Sequence, residues 1–356
     1  MSEQILSASK IKTWESCTWK YWCNYELKLP KSKNDGNVRG TTCHLILEVL
    51  LNPRHKKYIK KILKAKTIKI VPSIVRLVKK SLRSEGEQYC TPENYEMCDN
   101  MIVVGLNIDF LGGKGAKIDK PEEEFYIESK SPRYKIRGYI DKPVQYKGKK
   151  KLKIIDYKTN KSKFVTDEIE YNPQAFVYLL AAKQIWPKLT DTSIEFQFLK
   201  FPDDPCIEIK YTEEQLSGFE YWLEELFNKF NYFTEEDAKA DFAFNRGFPK
   251  NSKKEGFVKR LNCGYAEYPG ELKKNGELKW HCEYKFPYDY YAVVDENGKT
   301  LYSSKNKEDL KPEKNQTIQK KHYSGCPAVP QKEKPTESQA TLESSSGEED
   351  VGDFPF

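Results

Sequence analysis

Asp156-Tyr-Lys158 sets a carboxylate and an ammonium two residues apart, and on an extended strand that spacing points both side chains to one face. Such a pair could hold a cation and a water at a single spot, the needs of metal-assisted hydrolysis. Spacing alone decides little, since Glu26-Leu-Lys28, Glu208-Ile-Lys210, Asp237-Ala-Lys239 and Glu283-Tyr-Lys285 repeat it and read as solvated pairs. Asp156 differs in its setting. It ends the apolar stretch Leu152-Lys-Ile-Ile155, where a charge set against a core requires a partner.

Hairpin arithmetic supplies that partner. If residues 134–146 and 151–158 pair as strands about Lys147-Gly148-Lys149, positions whose numbers sum to 297 lie opposite, and Asp141 faces Asp156. Opposed side chains share a face with Cβ atoms about 4.5–5.5 Å apart. Two carboxylates at that range repel unless a cation joins them. Two aspartates and a lysine on one strand-end patch therefore describe a divalent-metal hydrolytic site better than a structural ion pair. His44 offers a further ligand: the pattern starts a helix near Arg39-Gly40 and puts Glu48 one turn beyond His44. A histidine satisfied near a helix N-terminus is the simpler alternative. Gln174 and Tyr178 also share a helical face, where a tyrosine commonly fills a core.

These residues need a frame. Ser7 caps an expected helix that ends near Pro30, and a second helix buries Leu45, Ile46, Val49 and Leu50. A basic amphipathic stretch follows, interrupted around Pro72. From Arg54 to Arg83 it carries twelve Lys or Arg and no acid, so its polar face suits either solvent or a phosphate backbone. Expected strands are 125–127, 134–146, 151–158, 194–201 and 206–211, with helices from Asn172-Pro173 to Trp186 and from Thr212 to about Tyr232. The expected fold is α/β, a mixed β-sheet flanked by helices with a helical N-terminal region. Residues 1–245 would form one domain with a basic helical insertion at about 54–110, 246–302 a Cys- and aromatic-bearing extension, and 303–356 a disordered tail.

Composition narrows the class. The chain has 356 residues, 38% hydrophobic and 32% charged, with a net charge of +7, enough to bury a core and too varied for a fibre. No apolar run approaches the ~18 residues of a membrane span. Met1-Ser-Glu-Gln-Ile-Leu lacks the regions of a signal peptide, so the expectation is a soluble, cytoplasmic protein without a membrane partner. Nine cysteines, an odd number, argue for reduced thiols or a metal site over a disulfide framework. From Thr336 to Phe356 there are six acids and no base.

Taken in order, Gly40-Thr-Thr-Cys-His44-Leu-Ile-Leu-Glu48, Gly138-Tyr-Ile-Asp141, Asp156-Tyr-Lys158 and Gln174-Ala-Phe-Val-Tyr178 resemble the motifs of RecB-like nucleases, among them the CRISPR-adaptation nucleases and phage exonucleases of the PD-(D/E)xK superfamily. The resemblance covers about residues 7–232. It implies a restriction-endonuclease-like core and a metal-dependent deoxyribonuclease, exonucleolytic by preference, serving DNA recombination, repair or replication, with a phage as one source. It implies that His44, Asp141, Asp156 and the Tyr157 carbonyl bind Mg²⁺ or Mn²⁺. Lys158 would position or activate water, and Gln174 and Tyr178 would hold the DNA backbone or the lysine. Many relatives carry an iron–sulfur cluster on one Cys before the core and three after it. Cys17, Cys263 and Cys282 partly match, with Cys23 or His281 to complete the set, and zinc would suit the same ligands. The ending Gly347-Glu-Glu-Asp-Val-Gly-Asp-Phe-Pro-Phe356 resembles the acidic tip of single-stranded-DNA-binding proteins, implying replication or recombination partners or a fold-back onto the basic stretch. A reading from another class is a non-catalytic single-stranded-DNA-binding recombination accessory.

Overall fold

Polar caps set where the helices begin. The computed structural model describes residues 4–240, 263–264 and 266–329. In it Asn34, Thr91, Asn172 and Thr212 each accept a hydrogen bond from a first-turn N–H, and Pro72, Pro92 and Pro173 occupy first-turn positions where a missing N–H costs nothing. The helices in chain order are α1 (Ala8–Ser16), α2 (Thr18–Tyr21), α3 (Asp35–Leu51), α4 (Ile59–Ala65), α5 (Pro72–Glu85) and α6 (Pro92–Asn107), then α7 (Thr166–Glu170), α8 (Pro173–Ile185), α9 (Glu213–Tyr232) and α10 (Glu235–Ala240). The strands are β1 (Lys117–Ile118), β2 (Glu123–Lys130), β3 (Arg133–Ile140), β4 (Lys142–Tyr146), β5 (Lys151–Lys158), β6 (Asp191–Phe198) and β7 (Cys206–Ile209), then β8 (Tyr288–Val294), β9 (Thr300–Ser304) and β10 (Thr317–Tyr323).

The chain divides into two units, Met1–Lys12 with Ser32–Phe233, and Thr13–Lys31 with Thr234–Phe356. In the first unit a mixed five-stranded sheet runs β1-β4-β5-β6-β7, with β5 and β6 parallel and the other pairs antiparallel. Alternation along β5 sends Ile155 and Tyr157 into a core with Ile46, Leu47 and Leu50 of α3 and Ile102 of α6. On the other face α8 packs on β6, and this helix is buried on nearly all sides from Pro173 to Ala182. Sheet and flanking helices match the expected fold class. A separate hairpin, β2-β3, completes the unit. The second unit holds the antiparallel sheet β10-β8-β9.

Several expectations change. The register sum of 297 holds along the whole β4–β5 ladder, but the single strand expected over 134–146 breaks at Asp141 into β3 and β4, which join different sheets. Pro143, which cannot donate to a ladder, lies just past the break. Helix α3 starts at Asp35 because Asn34 caps it, so His44 lies in mid-helix and not at its start. Pro72 opens α5 instead of interrupting a helix. Helix α1 stops at Ser16, and Cys17 caps a new turn. A disordered stretch from Ser303 does not hold as far as residue 329, because β10 pairs with β8 along its whole length. The remainder of 303–356, with the acidic tip, lies outside the described residues. So do residues 246–262 of the expected extension.

Candidate active site

Strand β5 presents Asp156 and Lys158 to α8, as their spacing requires. Asp156 is only 2% exposed, and a buried carboxylate persists only when paired. Its Oδ2 lies 2.5 Å from Lys158 Nζ, and its Oδ1 accepts from Gln174 Nε2 at 2.6 Å. The Gln174 carbonyl oxygen accepts from Lys158 at 2.7 Å, while its amide also donates to Tyr178 Oη at 3.0 Å. One side chain on the first turn of α8 therefore ties together aspartate, lysine and tyrosine. Burial, against the pull of Lys158, raises the Asp156 pKa. Burial and then the nearby Asp156 charge hold Tyr178 well above the usual phenol range, hence neutral.

Asp141 approaches from the break between β3 and β4. Its Oδ2 accepts from Tyr157 N–H at 2.9 Å and lies 3.2 Å from His44 Nδ1. The other ring nitrogen of His44 is 2.9 Å from the Tyr157 carbonyl oxygen. Both neighbours are acceptors, so the ring fits this place as a doubly protonated imidazolium. Burial favours the neutral ring, but the Asp141 carboxylate, by charge and hydrogen bond, outweighs it and lifts His44 to about 9. Helix α3 comes close to the end of β5 through Gly40, whose Cβ, if present, would lie 3.0 Å from Thr159 Oγ1.

Sequence reasoning missed Glu122. Ligand atoms of His44, Glu122 and Asp141 lie within 4.8 Å of one another, the one such trio among the described residues. Glu122 takes a left-handed conformation, φ +51°, just before β2, and its N–H donates to the Asp141 carbonyl at 3.1 Å. The β2–β3 ladder pairs positions summing to 263, Glu123 with Ile140 for example. The same arithmetic that linked Asp141 to Asp156 would have linked Glu122 to Asp141. Two other acids of β2 have separate partners: Glu124 accepts from Tyr139 Oη and Glu128 pairs with Lys135. Burial and then the Asp141 charge raise Glu122 to about 7. Three carboxylates, an imidazole and a carbonyl thus crowd one patch, a donor set that fits a hard divalent cation.

In the second unit a cavity of about 250 Å³ is lined by Cys17, Cys263, Cys282 and Cys326. Cys326 was not among the suggested ligands, because it falls in the stretch expected to be a disordered tail. Of the two suggested fourth ligands, Cys23 is fully buried with its Sγ 3.7 Å from Tyr323 Oη, and His281 Nδ1 lies 3.3 Å from the Lys279 carbonyl.

The sequence profile of the PD-(D/E)XK nuclease superfamily matches residues 5–268. Among solved structures, the chain is similar to the "Putative exonuclease" of Eubacterium rectale at 12% identity and a TM-score of 0.39, over 63% of this chain and 80% of that one. No curated protein matches the sequence. No helix among the described residues is long and apolar enough to cross a membrane.

Proposed function

The chain belongs to the PD-(D/E)XK nuclease superfamily, and from that premise we propose that the site hydrolyses phosphodiester bonds of DNA as a metal-dependent exonuclease. The supporting observation is the meeting of Asp141 with His44 and the Tyr157 backbone beside the Asp156–Lys158 pair. Asp141, Asp156, His44 and the Tyr157 carbonyl are the proposed ligands, joined by Glu122. Their oxygens suit Mg²⁺, and the imidazole nitrogen tilts the preference toward Mn²⁺. Such a cation, when bound, polarises the scissile phosphate and acidifies water. Lys158, steered by Asp156 and the Gln174 carbonyl oxygen, brings a positive charge to the phosphate oxygens as negative charge grows on them. Gln174 fixes the lysine's direction, and the neutral Tyr178 phenol supports Gln174. Work in recombination, repair or replication, and a phage source, extend the same reading. Digestion of 5′- and 3′-labelled single- and double-stranded oligonucleotides in Mg²⁺, Mn²⁺ or EDTA tests it. Binding without cleavage in either metal would favour the non-catalytic accessory.

Metal binding should depend steeply on pH. His44 and Glu122 hold protons below about 9 and about 7 respectively, and a cation must displace both. Apparent affinity is expected to rise about a hundredfold per pH unit below 7 and about tenfold per unit from 7 toward 9. Calorimetric titration with Mn²⁺ from pH 6 to about 8.5, with proton release read from buffers of different ionisation enthalpy, checks this. A flat profile would remove His44 and Glu122 from the ligand set.

For the second unit we propose that the four thiols hold an iron–sulfur cluster. Four thiols around a cavity of about 250 Å³ match the ligand number of an iron–sulfur core. Cys326→Ser is expected to lower iron content about tenfold or more and bleach the visible absorbance, whereas Cys23→Ser should leave both unchanged. Zinc in place of iron in the purified protein would reverse the assignment.

A further inference from the structure

The cavity that holds Asp141, Gln174 and Tyr178 continues past them, with a volume of about 460 Å³, to Ser7, Ser9 and Lys12 on one wall and Arg137 and Tyr139 on the other. Both walls are built into the fold. Buried Leu6 bridges Ile136, exchanging hydrogen bonds with its neighbours: Leu6 N–H to the Lys135 carbonyl at 2.8 Å and Arg137 N–H to the Leu6 carbonyl at 3.0 Å. That bridge fixes the start of α1 beside β3, and Ser7 caps the helix by accepting from Lys10 N–H at 3.3 Å. Along β3, Ile136 and Ile140 are buried while Arg137 and Tyr139 are exposed, so these two share the face that leads on to Asp141. Glu124 accepts from the Tyr139 hydroxyl at 3.0 Å and restrains its ring. Lys12 Nζ lies 5.6 Å from the centre of the Phe164 ring. Apart from Asp141, no carboxylate among the described residues lines this cavity.

An ammonium, a guanidinium, two hydroxyls and a phenol ring beside a hydrolytic centre match the parts of one nucleotide. We propose that this arm receives the nucleotide next to the scissile bond of a single DNA strand, with Lys12 and Arg137 on its phosphate, Ser7 and Ser9 on phosphate or sugar, and Tyr139 stacked on its base. The proposal rests on the nuclease reading of the adjoining site. Two features favour a single strand over a duplex. The volume is that of a pocket for one small guest, and stacking on a side chain requires an unpaired base. Lys12, Arg137 and Tyr139 are therefore positioning residues for strand selection.

The test measures binding by the full chain in EDTA, using fluorescence anisotropy with a labelled oligothymidylate and with a blunt duplex of equal length. Lys12→Ala with Arg137→Ala is expected to weaken single-strand binding by about 30-fold at low salt. The loss of two phosphate contacts at ~0.7 each should reduce the slope of log affinity against log salt by about 1.4. Tyr139→Ala should cost about tenfold on the single strand, and the duplex should change by less than about threefold in every variant. The charge-retaining pair Lys12→Arg with Arg137→Lys should keep the salt slope. Unchanged single-strand affinity, or an equal loss on duplex, would overturn the subsite. Cleavage in Mn²⁺ separates the two claims. A wild-type chain that cuts nothing yet shows these binding losses would defeat the nuclease reading alone. A cutting enzyme whose Lys12/Arg137 variant binds and cuts like wild type would defeat the subsite alone.

Discussion

Lys158→Met is expected to lower DNA cleavage by about a thousandfold or more while DNA affinity in EDTA stays within about threefold of wild type. The half-buried ammonium has a fixed address: 2.5 Å from Asp156 and 2.7 Å from the Gln174 oxygen. Methionine keeps most of the stem and removes the charge, so packing changes little while the growing charge on the phosphate loses the Lys158 ammonium. The change also leaves Asp156 without its ion partner, at a stability cost that can reach about 3–5 kcal/mol. For that reason the double variant Lys158→Met with Asp156→Asn is the proper companion, since it removes both charges together. Asp141→Asn should match the activity loss by a different route, through weakened metal binding, and should lose the His44 ion pair as well. Rates are to be compared only after thermal unfolding shows each variant folded. A Lys158→Met enzyme cutting at the wild-type rate would remove the lysine from the chemistry.

A larger structural effect is expected from a single methyl group. Gly138 lies on β3 against Phe125 of β2, and a Cβ there would come within 2.6 Å of that ring. Phe125 is 3% exposed and meets Tyr178 edge-to-face at 5.9 Å between ring centres, so the ring has nowhere to retreat. Gly138→Ala is expected to destabilise the first unit by about 2–3 kcal/mol, a fall of roughly 5–10 °C in its melting temperature. Part of the strain should pass through Phe125 to Tyr178 and Gln174 and slow cleavage. Adding Phe125→Leu makes room, so the double variant should be more stable than the sum of the single effects by about 1 kcal/mol or more. Melting curves on the four proteins decide it, and a Gly138→Ala variant as stable as wild type would show that the hairpin yields freely.

The motif Gly138-Tyr-Ile-Asp141 thereby gains a physical account. Its glycine admits the aromatic ring that backs α8, its tyrosine and the preceding arginine line the cavity, and its aspartate leaves the strand where the chain passes from one sheet to the other. The Gly40–Glu48 motif is explained in a similar way, with a glycine permitting the close approach that brings His44 to the Tyr157 carbonyl.

Much of this was legible in the sequence because it depends on short-range geometry. Alternation on a strand put Asp156 and Lys158 on one face, a tight turn fixed the 297 register, and helical spacing put Gln174 and Tyr178 together. Caps at Asn172 and Thr212 marked helix starts within a residue. What the sequence left open depends on contacts between distant segments. The break at Asp141, the capture of Glu122 by the second hairpin, the gathering of Cys17, Cys263, Cys282 and Cys326, and the bridge from Leu6 to Ile136 each join stretches with no common local period. Local propensity governs elements of a few turns, whereas burial of apolar faces selects which elements meet. Only that selection made His44 a neighbour of Asp141 and gave the cavity its two walls.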